Sequence, residues 1–373
     1  MRYTQHLFKF VNMLFFIAIF LPMNYVLGAS FNYLIPSFII VVLILTFNCN
    51  KKIQCNPLVV FLLLFVFSVF VSILYGRNAQ DIMTSPVLLF FFYLMLVGGN
   101  FIKRVDGFDK WIDVAIIFVV LTCFYFSFSD IANITIHGRN RGFGSGSVTS
   151  IIGLIIFTVG FEALLSKRIS LIQCLFLIFS GLLIIVIIQA RGPIISVFLI
   201  VLFALFKFSS FKHKITFSSL LIIFIIVGHN LFTFYYPDLY QLVLSRFEFS
   251  GDVESYSSGR APTIFFVFEM MTKSVEAFFL GNGLGSLKEA VHENGLFFPH
   301  NDFLYVLYEV GVFGWVFFFY LFYKAIMNIQ STSFRLLIIT TMLHTNFILF
   351  SYMLITILLI DKSGNLKSQS VSQ

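Results

Sequence analysis

Charge is what this chain has least of. Asp, Glu, Lys and Arg make up 11% of its 373 residues, against a hydrophobic share of 59% and 53 phenylalanines. No water-soluble domain could hide that much apolar side chain, so the solvent must be lipid. Cysteine is also scarce. Cys49 and Cys55 fall in a short connection, and Cys123 and Cys174 in apolar runs. None has a CxxC spacing and none lies in an outward loop, which argues against disulfides and against a cysteine metal centre. Alternating β patterning is missing, which excludes an outer-membrane barrel. No internal repeat is visible.

What is present is a series of apolar runs. A helical crossing of the bilayer needs about 20 such residues. Candidate spans are Leu7–Leu27, Phe31–Phe47, Pro57–Tyr75, Ile82–Ile102, Trp111–Ile131, Val148–Leu165, Ile169–Gln189, Pro193–Phe211, Ile215–Tyr236, Asp302–Ile326 and Phe334–Ile360. The expectation is an all-α, polytopic membrane protein with about 11 spans, in the range 10–12. The first run resembles a signal peptide in having Arg2 and Lys9 ahead and "VLGAS" behind. Its membrane-length apolar stretch and its Pro22 and Asn24 favour a retained span. The last run is long, and His344-Thr345-Asn346 marks a place where it could break.

Basic residues set the orientation. Lys51/Lys52, Lys103/Arg104/Lys110, Lys167/Arg168, Lys207/Lys212/Lys214 and Lys324/Arg335 fall on alternate connections, with Arg2 and Lys9 at the amino end. The positive-inside rule places them in the cytoplasm. The organisation expected is spans over 1–236, a long outward loop over 237–299 with an interfacial helix, further spans over 300–360 and a polar tail over 361–373. An odd span count leaves Lys362 and Lys367 outside, against the rule, so the side of the tail stays open.

The outward face has a different chemistry. Its cations are mainly arginine: Arg77, Arg139, Arg141, Arg191, Arg246 and Arg260, beside Lys273 and Lys288. Topology needs only charge, whereas arginine suits planar, bidentate contact with phosphate or carboxylate. The bland alternative is pairing with outward acids; for the set as a whole, an anionic ligand explains the bias better. Arg191, in "QARGP", stands in a very short turn between two spans, where a charge is costly and signals function. Arg139 and Arg141 sit in "HGRNRGFGSGS", whose glycines let backbone amides approach a ligand before the next helix begins. Arg260 precedes Pro262 at the start of an amphipathic or re-entrant helix. "GNGLGS" at 281–286 is a weak phosphate-loop signal, with Gly283 and Gly285 its binding candidates, and a plain turn is the competing reading.

"FFPHNDFLYVLYEVG" puts the most polar cluster at the head of a span. His300 then lies at the outer interface, on a helix capped by Asn301 or Asp302. A helix start disfavours the imidazolium, so a neutral His300 is a candidate general base. His292 is a weaker competitor in mid-loop. Glu309 lies about 13 Å deeper on the opposite helical face, and is expected to be a packed or paired acid rather than a partner of His300.

Together, "SSGR" at 257–260, "LGNGLGS" at 280–286, "HNDFLYVLYEVGVFG" at 300–314 and "ARGP" at 190–193 resemble the O-antigen polymerase and ligase superfamily. The resemblance covers the second half of the chain; the first half agrees only in being multispanning. It implies a GT-C-like membrane glycosyltransferase in a bacterial inner membrane, acting at the periplasmic face on undecaprenyl-diphosphate-linked oligosaccharides. By that resemblance Arg191 and Arg260 hold the diphosphate and His300 assists the acceptor hydroxyl, with Arg139, Arg141, Gly283, Gly285 and Asn301 as further substrate-binding candidates. No metal, cofactor or nucleic acid is expected; a chain-length regulator and a flippase are the expected protein partners. Polymerase is favoured over ligase, with a lipid-linked oligosaccharide flippase as the reading from another class.

Overall fold

A computed structural model describes residues 55–100, 146–165, 169–188, 191–207, 261–296, 299–345, 347–350 and 353–364, with isolated positions between 116 and 241. The expected spans Leu7–Leu27 and Phe31–Phe47 lie outside the described residues, as does most of Trp111–Ile131 and Ile215–Tyr236. The described elements are all helical and include no strand. By length and composition alone, three stretches among them suffice to cross a membrane: Asn56–Leu74, Ala79–Gly98 and Asp302–Asn328. The chain forms two compact units, one from 1–119 with 252–373 and the other from 120–251.

In the first unit, α1 (Cys55–Leu74) buries Leu64, Ser68, Val71 and Ser72 along one stripe. It exposes Val59, Leu63, Val66, Phe70 and Ile73 on the other side, the pattern of a helix between protein and lipid. Two capped helices follow. Asn78 accepts from the Asp81 amide at 2.8 Å to start α2 (Ala79–Thr84). Ser85 then accepts from the Val87 amide at 3.2 Å to start α3 (Pro86–Gly98), with Pro86 in its first turn. Helix α3 is apolar on every side and is buried from Val87 to Gly98 apart from two half-buried positions, so it is the core of this unit.

The second unit holds α4 (Gly146–Leu165), α5 (Leu171–Ile187) and α6 (Arg191–Lys207). A capping box of Ser170 and Gln173 opens α5. Close packing at small residues holds α4 and α5 together. A β-carbon on Gly181 would come within 2.6 Å of the Gly153 carbonyl oxygen, and one on Gly160 within 2.7 Å of Leu177 Cβ. These contacts run α4 and α5 antiparallel.

The expected long loop is itself helical where described: α7 (Ala261–Thr272), α8 (Val275–Leu280) and α9 (Ser286–Glu293). Helix α7 buries Thr263, Val267 and Met271 while exposing Phe265 and Phe268. A helix does follow Arg260 as expected, and its exposed side is apolar as well, with Phe265 and Phe268 on it.

Helix α10 (Asp302–Asn328) departs from expectation. Gly311 adopts φ 64 and ψ −174, a conformation open to glycine almost alone, and it folds the helix back on itself. The Phe303 ring lies 6.0, 5.8 and 5.7 Å from Phe318, Phe319 and Phe322. A straight helix would hold Phe303 and Phe322 about 28 Å apart. The single span expected over Asp302–Ile326 is therefore a limb of 302–310 lying antiparallel on a limb of 312–328. Phe318 joins this hairpin to α3, with its ring 6.0 Å from both Phe90 and Phe91.

The final apolar run also folds back. It breaks at Thr345, where the sequence marked the weak point, into α11 (Thr332–His344), a 3-10 turn (Phe347–Phe350) and α12 (Met353–Gly364). The Asp361 carboxylate accepts from the Gln330 and Ser331 amides at 2.6 and 2.7 Å, so the end of α12 returns to the start of α11. Asp361 and Lys362 consequently share a side with Lys324 and Arg335.

Candidate functional site

The glycine motif and the histidine motif form one structure. The fold at Gly311 leaves the carbonyls at the end of the 302–310 limb without helical donors. The loop between α8 and α9 supplies them. Asn282 donates its amide to the Tyr308 carbonyl at 2.9 Å and its side-chain NH2 to the same oxygen at 3.2 Å. Gly283 donates to the Glu309 carbonyl at 3.0 Å. Leu284 donates to Ser72 Oγ at 2.8 Å, which fastens the loop to α1.

The loop glycines serve this docking. Gly281, Gly283 and Gly285 have φ of 82, 85 and 80, so each shapes the turn. A β-carbon on Gly283 would meet Ser72 Cα at 3.2 Å, and one on Gly285 would meet the Asp81 carbonyl oxygen at 3.2 Å. The amides of Gly281, Asn282, Gly283, Leu284 and Ser286 all donate inside the protein. The amides of Gly285 and Leu287 face the Glu309 carboxylate. The start of α9 thus faces a carboxyl group of the chain itself, in the place where a phosphate loop would receive its ligand. Gly283 and Gly285 act here as turn formers, the competing reading of "GNGLGS".

Glu309 is buried, as an intramembrane acid at a packed position should be. Ser85 Oγ donates to its Oε2 at 3.1 Å, and the Arg77 guanidinium faces it. Arg77 itself pairs with Glu289 of α9. For Arg77, therefore, pairing with an acid holds. Reading by position along the chain could not find the pair, because 212 residues separate its members.

At the other end of the limb lie the residues expected to do chemistry. Asn301 is the helix cap, its Oδ1 accepting from the Leu304 amide at 3.1 Å. The cap position was open between Asn301 and Asp302, and the structure assigns it to Asn301. His300 is half-buried, with its Nδ1 buried, between Pro299 and this cap. Asp302 is fully buried and turns away from its own helix: its Oδ2 accepts from the Ile348 amide in the 3-10 turn at 3.0 Å. Because the 302–310 limb lies beside Phe318–Phe322, this cluster is displaced from the Gly311 turn by the length of that limb, about 14 Å. His300 accordingly lies beside the middle of the 312–328 limb, not at the outer end of a straight span.

Arg191 opens α6 in the second compact unit, and only its backbone is described. Arg139, Arg141 and Arg260 lie outside the described residues. Among the described residues no group of three His, Cys, Asp or Glu is placed to hold a metal ion. No known family model matches the chain, and no curated protein matches it.

Proposed function

We propose that the chain is a membrane glycosyltransferase that joins undecaprenyl-diphosphate-linked oligosaccharides at the periplasmic face of a bacterial inner membrane, as an O-antigen polymerase. The observation that carries the reading is the union of two motif segments. "LGNGLGS" and "HNDFLYVLYEVGVFG" resemble the superfamily as separate strings, and four hydrogen bonds from Asn282, Gly283 and Leu284 dock the first onto the second and onto α1.

In this reaction a hydroxyl of the acceptor sugar attacks the anomeric carbon of the donor, and the lipid diphosphate leaves. His300 takes the hydroxyl proton. Arg191 and Arg260 offset the charge growing on the leaving group. The preference for polymerase over ligase comes from loop charge. Residues 237–299 carry Arg246, Arg260, Lys273 and Lys288 against Asp238, Glu248, Asp252, Glu254, Glu269, Glu276, Glu289 and Glu293. A net acidic loop does not attract the heavily phosphorylated lipid A-core that a ligase uses.

A strain lacking the protein is expected to make lipopolysaccharide bearing one repeat unit and no ladder. Bare core with accumulation of long lipid-linked polymer would make the protein a ligase. Transport is the second reading, and the folds at Gly311 and Thr345 favour it, since transporters bind substrate between broken helices. A flippase mutant would instead accumulate single lipid-linked units on the cytoplasmic side.

A further inference from the structure

Asp302 stands two residues after His300 and is spared from capping its own helix, because Asn301 does that. Its carboxylate is instead spent on another hairpin. Oδ2 accepts from the Ile348 amide at 3.0 Å, and the Phe347 amide faces the same group. Oδ1 is buried and accepts no hydrogen bond among the described residues. Around it, Phe90 touches both Phe347 and Phe318, and Phe303 packs on Phe318. The tip of the α11–α12 hairpin and the 312–328 limb thus both pack on α3, the start of the 302–310 limb packs on that second limb through Phe303, and the Asp302 side chain ties it to the tip. The hairpin is closed at its base by Asp361, so its tip is a fixed point.

Resting on the assignment of His300 as the base, we infer that Asp302 is a positioning residue, which sets where His300 stands by anchoring the 302–310 limb to the Phe347–Ile348 turn. Within Pro299–Asn301 the Asn301 amide donates to the Pro299 carbonyl at 2.6 Å, and the Asn301 side chain caps the limb, so the segment continues directly into the anchored first turn. Loss of the Asp302 bond frees the limb's first turn and leaves the Ile348 amide without its acceptor. A shift of about 1 Å at a catalytic group is enough to cost about 100-fold in rate.

The test uses the purified full-length protein and lipid-linked oligosaccharide extracted from the deletion strain. Asp302→Ala is expected to lower kcat by about 100-fold with KM unchanged. Asp302→Asn keeps an acceptor oxygen, and should recover the rate to within about tenfold of the parent, the worth of one hydrogen bond. Because Asp302 acts through His300, the double variant with His300→Ala should be no slower than His300→Ala alone. A parental rate for Asp302→Ala, or effects that multiply in the double variant, overturns the inference. If Asp302→Ala fails to reach the membrane, the same double-variant comparison with Asp302→Asn decides. If His300→Ala keeps the parental rate, the assignment of the base falls, and the positioning role falls with it. If His300→Ala is inactive while Asp302→Ala is not, only the positioning role fails.

Discussion

Gly281 and Gly311 lie back to back, so close that a β-carbon on either would collide with the other's backbone nitrogen. Both hold positive φ, 82 and 64. One ends α8 and the other folds α10, so this contact is where the glycine loop and the histidine-bearing limb become one piece. Replacing either by Ala adds a strain of roughly 1–3 kcal/mol for the dihedral alone, before the collision is counted. Gly281→Ala and Gly311→Ala are therefore expected to lower the thermal midpoint in detergent and to abolish ladder formation. Gly295 has a similar φ of 61 but open space around it, so Gly295→Ala should be milder. Equal effects at all three positions would show that dihedral strain alone matters.

Arg77 and Glu289 form an ion pair whose acid side chain is 55% exposed. An exposed pair contributes at most about 1 kcal/mol, so Glu289→Ala should leave stability and polymer length near the parental values. Arg77 has a second neighbour in buried Glu309. Arg77→Ala is expected to be the more damaging change, because it takes away a cation facing a buried acid. Thermal unfolding of the two single variants checks the order.

The Asp361 contact with Gln330 and Ser331 makes a topological prediction. Single cysteines at Gln330 and Ser363 should be labelled from the same side of the membrane, the side that labels Lys212. Labelling from opposite sides would contradict the hairpin. Asp361→Ala should loosen it, since two amides lose their acceptor at a cost of about 1–3 kcal/mol each.

The proposed chemistry depends on arginine geometry. Arg191→Lys and Arg260→Lys keep the charge but lose the planar fork, so activity should fall by about tenfold or more at unchanged membrane levels. His300→Ala should abolish polymer, whereas exposed His292 should tolerate Ala. The reverse order would move the base to His292. Activity in EDTA is expected to persist, because arginines rather than a metal are assigned the leaving group.

Much of this protein was determined by sequence alone. Apolar composition dictates a lipid solvent, and helices follow because lipid leaves backbone groups no other partner. Runs of about 20 apolar residues located α1, α4, α5 and α6 to within a few positions. The polar triplet at 344–346 marked the break after α11. Only the tertiary structure decided what the glycines do. Glycine is tolerated inside membrane helices, so Gly311 within "EVGVFG" reads as an uninterrupted span until Gly281 is seen against it. The same holds for the acids. Asp302 resembles a first-turn acid, Glu309 an isolated intramembrane charge and Asp361 the start of a polar tail. Each in fact satisfies groups elsewhere in the chain, with Asp302 bound 46 residues away and Glu309 bound 224 residues away. Local periodicity reports which side of a helix is apolar. It carries no record of which distant backbone amide a buried carboxylate will meet, because that partner exists only once the hairpins have folded back.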